Sequence, residues 1–77
     1  MDLQALRFKI NEFYLESKNR EYPNSVLVTN EQYKDFLKEM FKVPDFSEIP
    51  EGIFITSIEG LKVVFTDELE EPRVLKM

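Results

Sequence analysis

Apolar residues in the first twenty positions recur at spacings of three and four. Leu3, Leu6, Ile10, Phe13 and Tyr14 therefore stack on one side of a helix. No Pro or Gly interrupts the stretch from Asp2 to about Arg20, and Glu16 stands one turn before Arg20, the spacing of an ion pair. A helix is predicted over that range. It stops in Asn19-Arg20-Glu21-Tyr22-Pro23-Asn24, because proline disfavours helical backbone at the residue before it. The β-branched run Ser25-Val26-Leu27-Val28-Thr29 then predicts a short buried strand.

Thr29-Asn30-Glu31-Gln32 has the form of a capping box, in which the threonine hydroxyl and the glutamine amide satisfy each other's backbone donors. Val28 and Tyr33 sit where a hydrophobic staple belongs. The helix that follows, about Asn30 to Lys42, carries Tyr33, Phe36, Leu37, Met40 and Phe41 on one face. Val43 to Gly52 reads as a loop held by Pro44 and Pro50, with Phe46 and Ile49 placed to pin it down. Ile53-Phe54-Ile55-Thr56 and Leu61-Lys62-Val63-Val64-Phe65-Thr66 read as two strands joined by Ser57-Ile58-Glu59-Gly60. Alternation sends Ile53, Ile55, Leu61, Val63 and Phe65 to one face and Phe54 and Val64 to the other. Pro72 to Met77 can add an edge strand.

The order α-β-α-β-β(-β) predicts a single small α+β domain over residues 1–77: a mixed three- or four-stranded sheet packed with two helices. If Ser25–Thr29 and Leu61–Thr66 are parallel, the unit between them is a right-handed crossover. At 77 residues the core is thin, and with no cysteine the chain has no disulfide to reinforce it. Seven phenylalanines and three tyrosines supply large core-forming pieces instead.

Composition narrows function mostly by exclusion. A hydrophobic share of 43% beside 32% charged residues belongs to a globular chain rather than a disordered one. The start Met1-Asp2-Leu3-Gln4-Ala5 lacks the basic and apolar regions of a signal peptide, and no apolar run reaches bilayer length; a cytoplasmic protein with no membrane partner is expected. A net charge of −5 argues against direct nucleic-acid binding, since affinity for phosphates comes from Lys and Arg.

Absence of histidine and cysteine removes the usual zinc, haem and iron–sulfur ligands and the Ser–His and Cys–His nucleophile pairs. Gly52 and Gly60, the only glycines, cannot build a phosphate-cradling loop. The acidic cluster Asp67, Glu68, Glu70 and Glu71 offers hard oxygen ligands but lacks the spacing of a calcium loop, and reads as a solvated strand exit. Lys34, Lys38 and Lys42 interleave with Glu31, Asp35 and Glu39, which makes a mixed-sign solvated face. No catalytic residue, cofactor or metal is therefore expected, and the protein reads as a non-enzyme.

The apolar strand, the helix opening Thr29-Asn30-Glu31-Gln32-Tyr33, and Gly60-Leu61-Lys62-Val63-Val64 with its acidic exit together resemble a strand–helix–strand unit of phage capsid-type proteins. The likeness spans about half the chain and includes no diagnostic residue. It implies no activity, only a small phage or mobile-element protein.

Surplus apolar residues remain. Phe13, Phe36, Phe41 and Phe65 fit the core stripes, whereas Phe8, Tyr22 and Phe54 do not. Phe8 and Leu15, seven residues apart, fall almost opposite the main stripe of the first helix and form a second apolar ridge. Phe8, Leu15, Phe54 and Val64 are thus the candidate interface of a small self-associating protein-interaction module, whose partner is a protein or a second copy. Two alternatives belong to other classes: an acidic nucleic-acid mimic or inhibitor, and a small metal- or ligand-binding protein.

Overall fold

The computed structural model describes residues 2–77, and its elements follow the predicted order. Helix α1 spans Leu3–Glu16, strand β1 Ser25–Val28 and helix α2 Asn30–Phe41. A short 3-10 turn at Phe46–Glu48 precedes β2 (Ser57–Ile58), β3 (Leu61–Phe65) and β4 (Arg73–Leu75). The strands form one four-stranded mixed sheet in the order β2-β3-β1-β4. β1 runs parallel to β3, with Val26 beside Val63 and Val28 beside Phe65, and antiparallel to β4, with Val26 beside Val74. No helix among the described residues is long and apolar enough to cross a membrane.

The capping box at the start of α2 is formed as the sequence predicts. Thr29 Oγ1 accepts the Gln32 N–H at 3.2 Å, and Gln32 Oε1 accepts the Thr29 N–H at 2.9 Å. Gln32 also donates its side-chain amide to the Leu69 carbonyl at 2.8 Å, which ties the β3–β4 connection to the same helix end. At the other end Lys42 adopts the left-handed conformation, φ 56, and its N–H returns to the last turn.

Helix α1 is shorter than predicted. Asp2 caps its N-terminus by accepting the Ala5 N–H at 2.7 Å, but the helix stops at Glu16 rather than Arg20. Ser17 is extended, and its hydroxyl accepts the Glu21 N–H at 3.2 Å, a local bond that competes with helical continuation. Arg20 has a positive φ of 53 and donates to the Leu15 carbonyl, so the expected Glu16–Arg20 ion pair gives way to a contact with the helix's own C-terminal oxygens.

The hairpin also departs from expectation. Ile53–Thr56 is not a ladder strand. β2 is Ser57–Ile58, paired with Lys62 and Leu61, and the turn is only Glu59-Gly60. Both turn residues have positive φ, 52 and 79, the pattern of the tight type I′ connection that matches strand twist. Upstream, Thr56 still accepts the Val63 N–H at 3.0 Å. Beyond it the Tyr33 hydroxyl takes over. It donates to the Ile55 carbonyl and accepts the Ile55 N–H, both at 3.0 Å, so one side chain supplies both bonds that a neighbouring strand would have made.

One apolar cluster holds these pieces together. Leu6 of α1, Val26 and Val28 of β1, Tyr33, Phe36 and Leu37 of α2, and Leu61 of β3 are all buried in it, with Ile58 and Ile49 closing its sides. Ile49 thus pins its loop as expected. Three residues assigned to the core by pattern sit outside its cluster instead: Phe13 is half-buried, Phe41 is the last residue of α2, and Phe65 packs edge-on against Tyr33 with centroids 5.0 Å apart.

Candidate functional site

The sheet has two faces of different character. Val26 and Val28 belong to the core, and Leu61, Val63 and Val74 are buried in it or pack against it. Side chains alternate along each strand, so Ser25, Leu27, Lys62, Val64, Arg73 and Leu75 turn to the opposite face. Leu27, Val64 and Leu75 are half-buried and do not pack against the core cluster. Val64 lies directly beside Leu27, and Leu75 pairs with Ser25 one step along the central strand. Both helices contribute core residues to the covered face, which leaves this second face as the outer surface of a two-layer structure.

Electrostatics sharpen the contrast. The chain carries a net charge of −5, yet the charged residues of this sheet face, Lys62 and Arg73, are both cationic. Neither belongs to the ion pairs of the described residues. Those are Arg7–Glu59, Lys9–Glu71, Lys38–Asp35 and Lys76–Glu21, at 2.7 to 3.1 Å.

The outward side of α1 is the complementary case. Leu6 is fully buried, and the opposite side of the helix presents Phe8 at 65% exposure and Leu15 at 55%. Glu12 is half-buried and Glu16 exposed; neither belongs to the ion pairs of the described residues, and both line a hollow with Phe13 and with Arg73 of β4. Glu12 also borders a hollow shared with Lys9, Glu70 and Glu71 of the β3–β4 connection. Lys9 Nζ bonds Glu71 at 2.7 Å and holds its carboxyl below the usual carboxylate range; Glu70 is left unpaired.

The four residues proposed from sequence do not form one patch. Phe8 and Leu15 share the α1 ridge. Phe54, 68% exposed, lies in the segment before β2 and leans on the Tyr33 ring at 6.4 Å between centroids. Val64 sits on the open sheet face. Sequence reasoning missed Leu27, Leu75, Lys62 and Arg73 as companions of Val64. Alternation alone identifies the first two only once the pairing of β1 with β4 is known. Tyr22, the other misfit, is stacked on Tyr14 with centroids 4.3 Å apart, so its exposed ring is partly accounted for within the chain.

Other candidate chemistry gains little from the geometry. Among the described residues no group of three or more carboxylates is placed to hold a metal ion. On the exposed side of α2, Lys38 pairs with Asp35 and Lys34 lies over the Phe46 ring, 5.1 Å from its centroid, as a solvated mixed-sign face would. Compared with known proteins, the chain matches no family model, no curated protein and no solved structure.

Proposed function

We propose that this protein is a non-enzymatic interaction module that self-associates through apolar surface left outside its core. The carrying observation is the pair Phe8 and Leu15, aligned on the outward side of α1 and both more than half exposed. Single exposed apolar residues are commonplace, but two large ones on one ridge of so small a domain mark a contact surface. A thin core gains stability when association buries more surface.

Light scattering over a wide concentration range tests this. Mass should rise with concentration, and Phe8→Asp should hold the protein at the monomer mass while leaving its circular dichroism unchanged. A protein that stays monomeric, with or without that substitution, contradicts self-association.

A second reading, the acidic mimic of a nucleic acid, draws on one specific arrangement. Glu31, Asp35, Asp67, Glu68 and Glu70 surround a single surface hollow beside the start of α2. Binding of a basic partner there would fall steeply with salt, whereas apolar association would not.

A further inference from the structure

We infer that the hollow between α1 and β4 takes an extended basic peptide, which joins the four-stranded sheet as a further strand on β4. This goes beyond the self-association reading and uses a different part of the surface.

The backbone points to a strand. The Lys62 N–H bonds the Asn24 carbonyl and the Thr66 N–H the Val28 carbonyl, both at 2.9 Å. The even-numbered residues of β1 therefore turn their backbone groups towards β3, and Ser25 and Leu27 turn theirs towards Leu75 and Arg73 of β4. Val74, between those two, directs its N–H and carbonyl away from the sheet at its outer edge. No loop backbone of the described residues bonds either group. The opposite edge is closed by comparison. β2 is two residues long, and just before it Ile55 has both backbone groups bonded by the Tyr33 hydroxyl. An extended chain is the natural partner of a free strand edge, and its main-chain bonds supply affinity while its side chains supply specificity.

The hollow places that strand and selects its side chains. A cleft of about 550 Å³ lies between α1 and the stretch from Leu69 to Val74, with Phe13 as an apolar wall. Its charged lining is four carboxylates, Glu12, Glu16, Glu70 and Glu71, against two cations, Lys9 and Arg73. Lys9 is already committed to Glu71 at 2.7 Å, and Glu12, Glu16 and Glu70 belong to no ion pair of the described residues. In a strand paired with β4, alternate side chains turn to the Val74 side, where α1 stands, and the others to the side of Arg73 and Leu75. Cations suit the first set and apolar residues the second. A second copy of β4 does not fit: it sets Val74, not a cation, against α1 and brings its own surplus of carboxylates to the same groove.

NMR titration of the whole protein with a short synthetic peptide alternating lysine and valine tests this, at protein concentrations where association is negligible. The Val74 amide should shift and become protected from exchange, with shifts at Glu12, Phe13 and Glu16. A counterpart N-methylated along its backbone keeps the charges but cannot donate a ladder bond, and should bind about tenfold more weakly. Glu12→Gln with Glu16→Gln should weaken binding of the unmodified peptide about fivefold at low salt.

No shift, a Val74 amide left unprotected at saturation, or equal affinity for the two peptides overturns strand addition. An alternating glutamate–valine peptide that binds as tightly overturns the basic class. If raising the concentration of the protein alone protects Val74, the edge belongs to a second copy and the proposal fails, while self-association stands. Should the double variant lose its circular dichroism, the salt dependence of wild-type binding decides: a steep loss supports the charged hollow, and none overturns it.

Discussion

The two faces of the sheet are built from the same three strands with similar residue types, yet they do different work. On one face Val26 and Val28 are completely sealed, and Leu61 nearly so, beneath Leu6, Phe36 and Leu37. On the other, Leu27, Val64 and Leu75 are only half-buried, and alternation places Lys62 and Arg73 on the same face. Apolar composition therefore does not make a core. What makes it is a helix that can lay a matching stripe over the strand, and each helix here has one such stripe. Both are spent on the same side.

The comparison breaks first under core truncation. Phe36→Ala removes a fully buried ring and should cost about 3–5 kcal/mol. Val64→Thr, on the open face, should change stability by no more than about 0.5 kcal/mol. Urea denaturation measures both at protein concentrations where association is negligible. Equal losses would mean that the open face is covered in the monomer and that the contrast is false.

Next in size is Tyr33→Phe. The ring stays in the core, but Ile55 loses the partner for both its N–H and its carbonyl. Unsatisfied buried groups cost about 1–3 kcal/mol, and Ile55 is half-buried, so water recovers part of that and the lower end applies. Amide exchange at Ile55 should accelerate while exchange in β1 stays slow. Unchanged protection at Ile55 would show that the segment is held by Ile55 packing on the core rather than by the hydroxyl.

Thr29→Ala should cost about 1 kcal/mol, the usual value of a lost N-cap. It sharpens the comparison, because α2 closes the covered face and its start is set by this cap. No change in the melting midpoint would mean that the tertiary bond from Gln32 to Leu69, rather than the cap, holds the helix start.

Which parts were legible in the sequence follows from the range of the interactions that decide them. The α2 start was readable because its capping box is contained in four consecutive residues. The strand–helix–strand order left the parallel pairing of β1 with β3 open as one arrangement, and the sheet adopts it. The hairpin was misplaced by several residues: Ile53–Thr56 looks like a strand by composition, and the bond that diverts it comes from Tyr33, 22 positions away. Glu59 at positive φ also hid the turn, since that position usually holds Asn, Asp or Gly. Of the candidate site, the α1 ridge was readable from helical period alone. The open sheet face was not, because it depends on β4 joining β1 and on both helices choosing the same side.

The smallest expected effect concerns the ion pair that ties α1 to the β2–β3 turn. Arg7 donates through Nε and a terminal nitrogen to the two Glu59 carboxylate oxygens, each at 3.0 Å, a fork that fixes the tip of the hairpin against the helix on the covered side. That hydrogen bonding, reinforced by the charge of Arg7, holds the Glu59 carboxyl below its ordinary 4.5. A carboxylate whose folded pKa is depressed binds protons more weakly in the native state than in the unfolded one. Its contribution is therefore complete above pH 4.5 and disappears as pH falls through the lowered folded value. Both side chains are partly solvated, so the contribution is screened and should fall below that of Thr29. Glu71 and Asp45 are shifted the same way, by Lys9 and by bonding with Ser47, so acid destabilisation of the wild type alone cannot isolate the pair. The gap between wild type and Arg7→Met does isolate it. That gap should be constant near neutral pH, close as pH drops below 4.5, and shrink in high salt. A gap that persists into acid would show that Arg7 acts through the packing of its methylene stem, and that the turn is held to the helix layer by apolar contact alone.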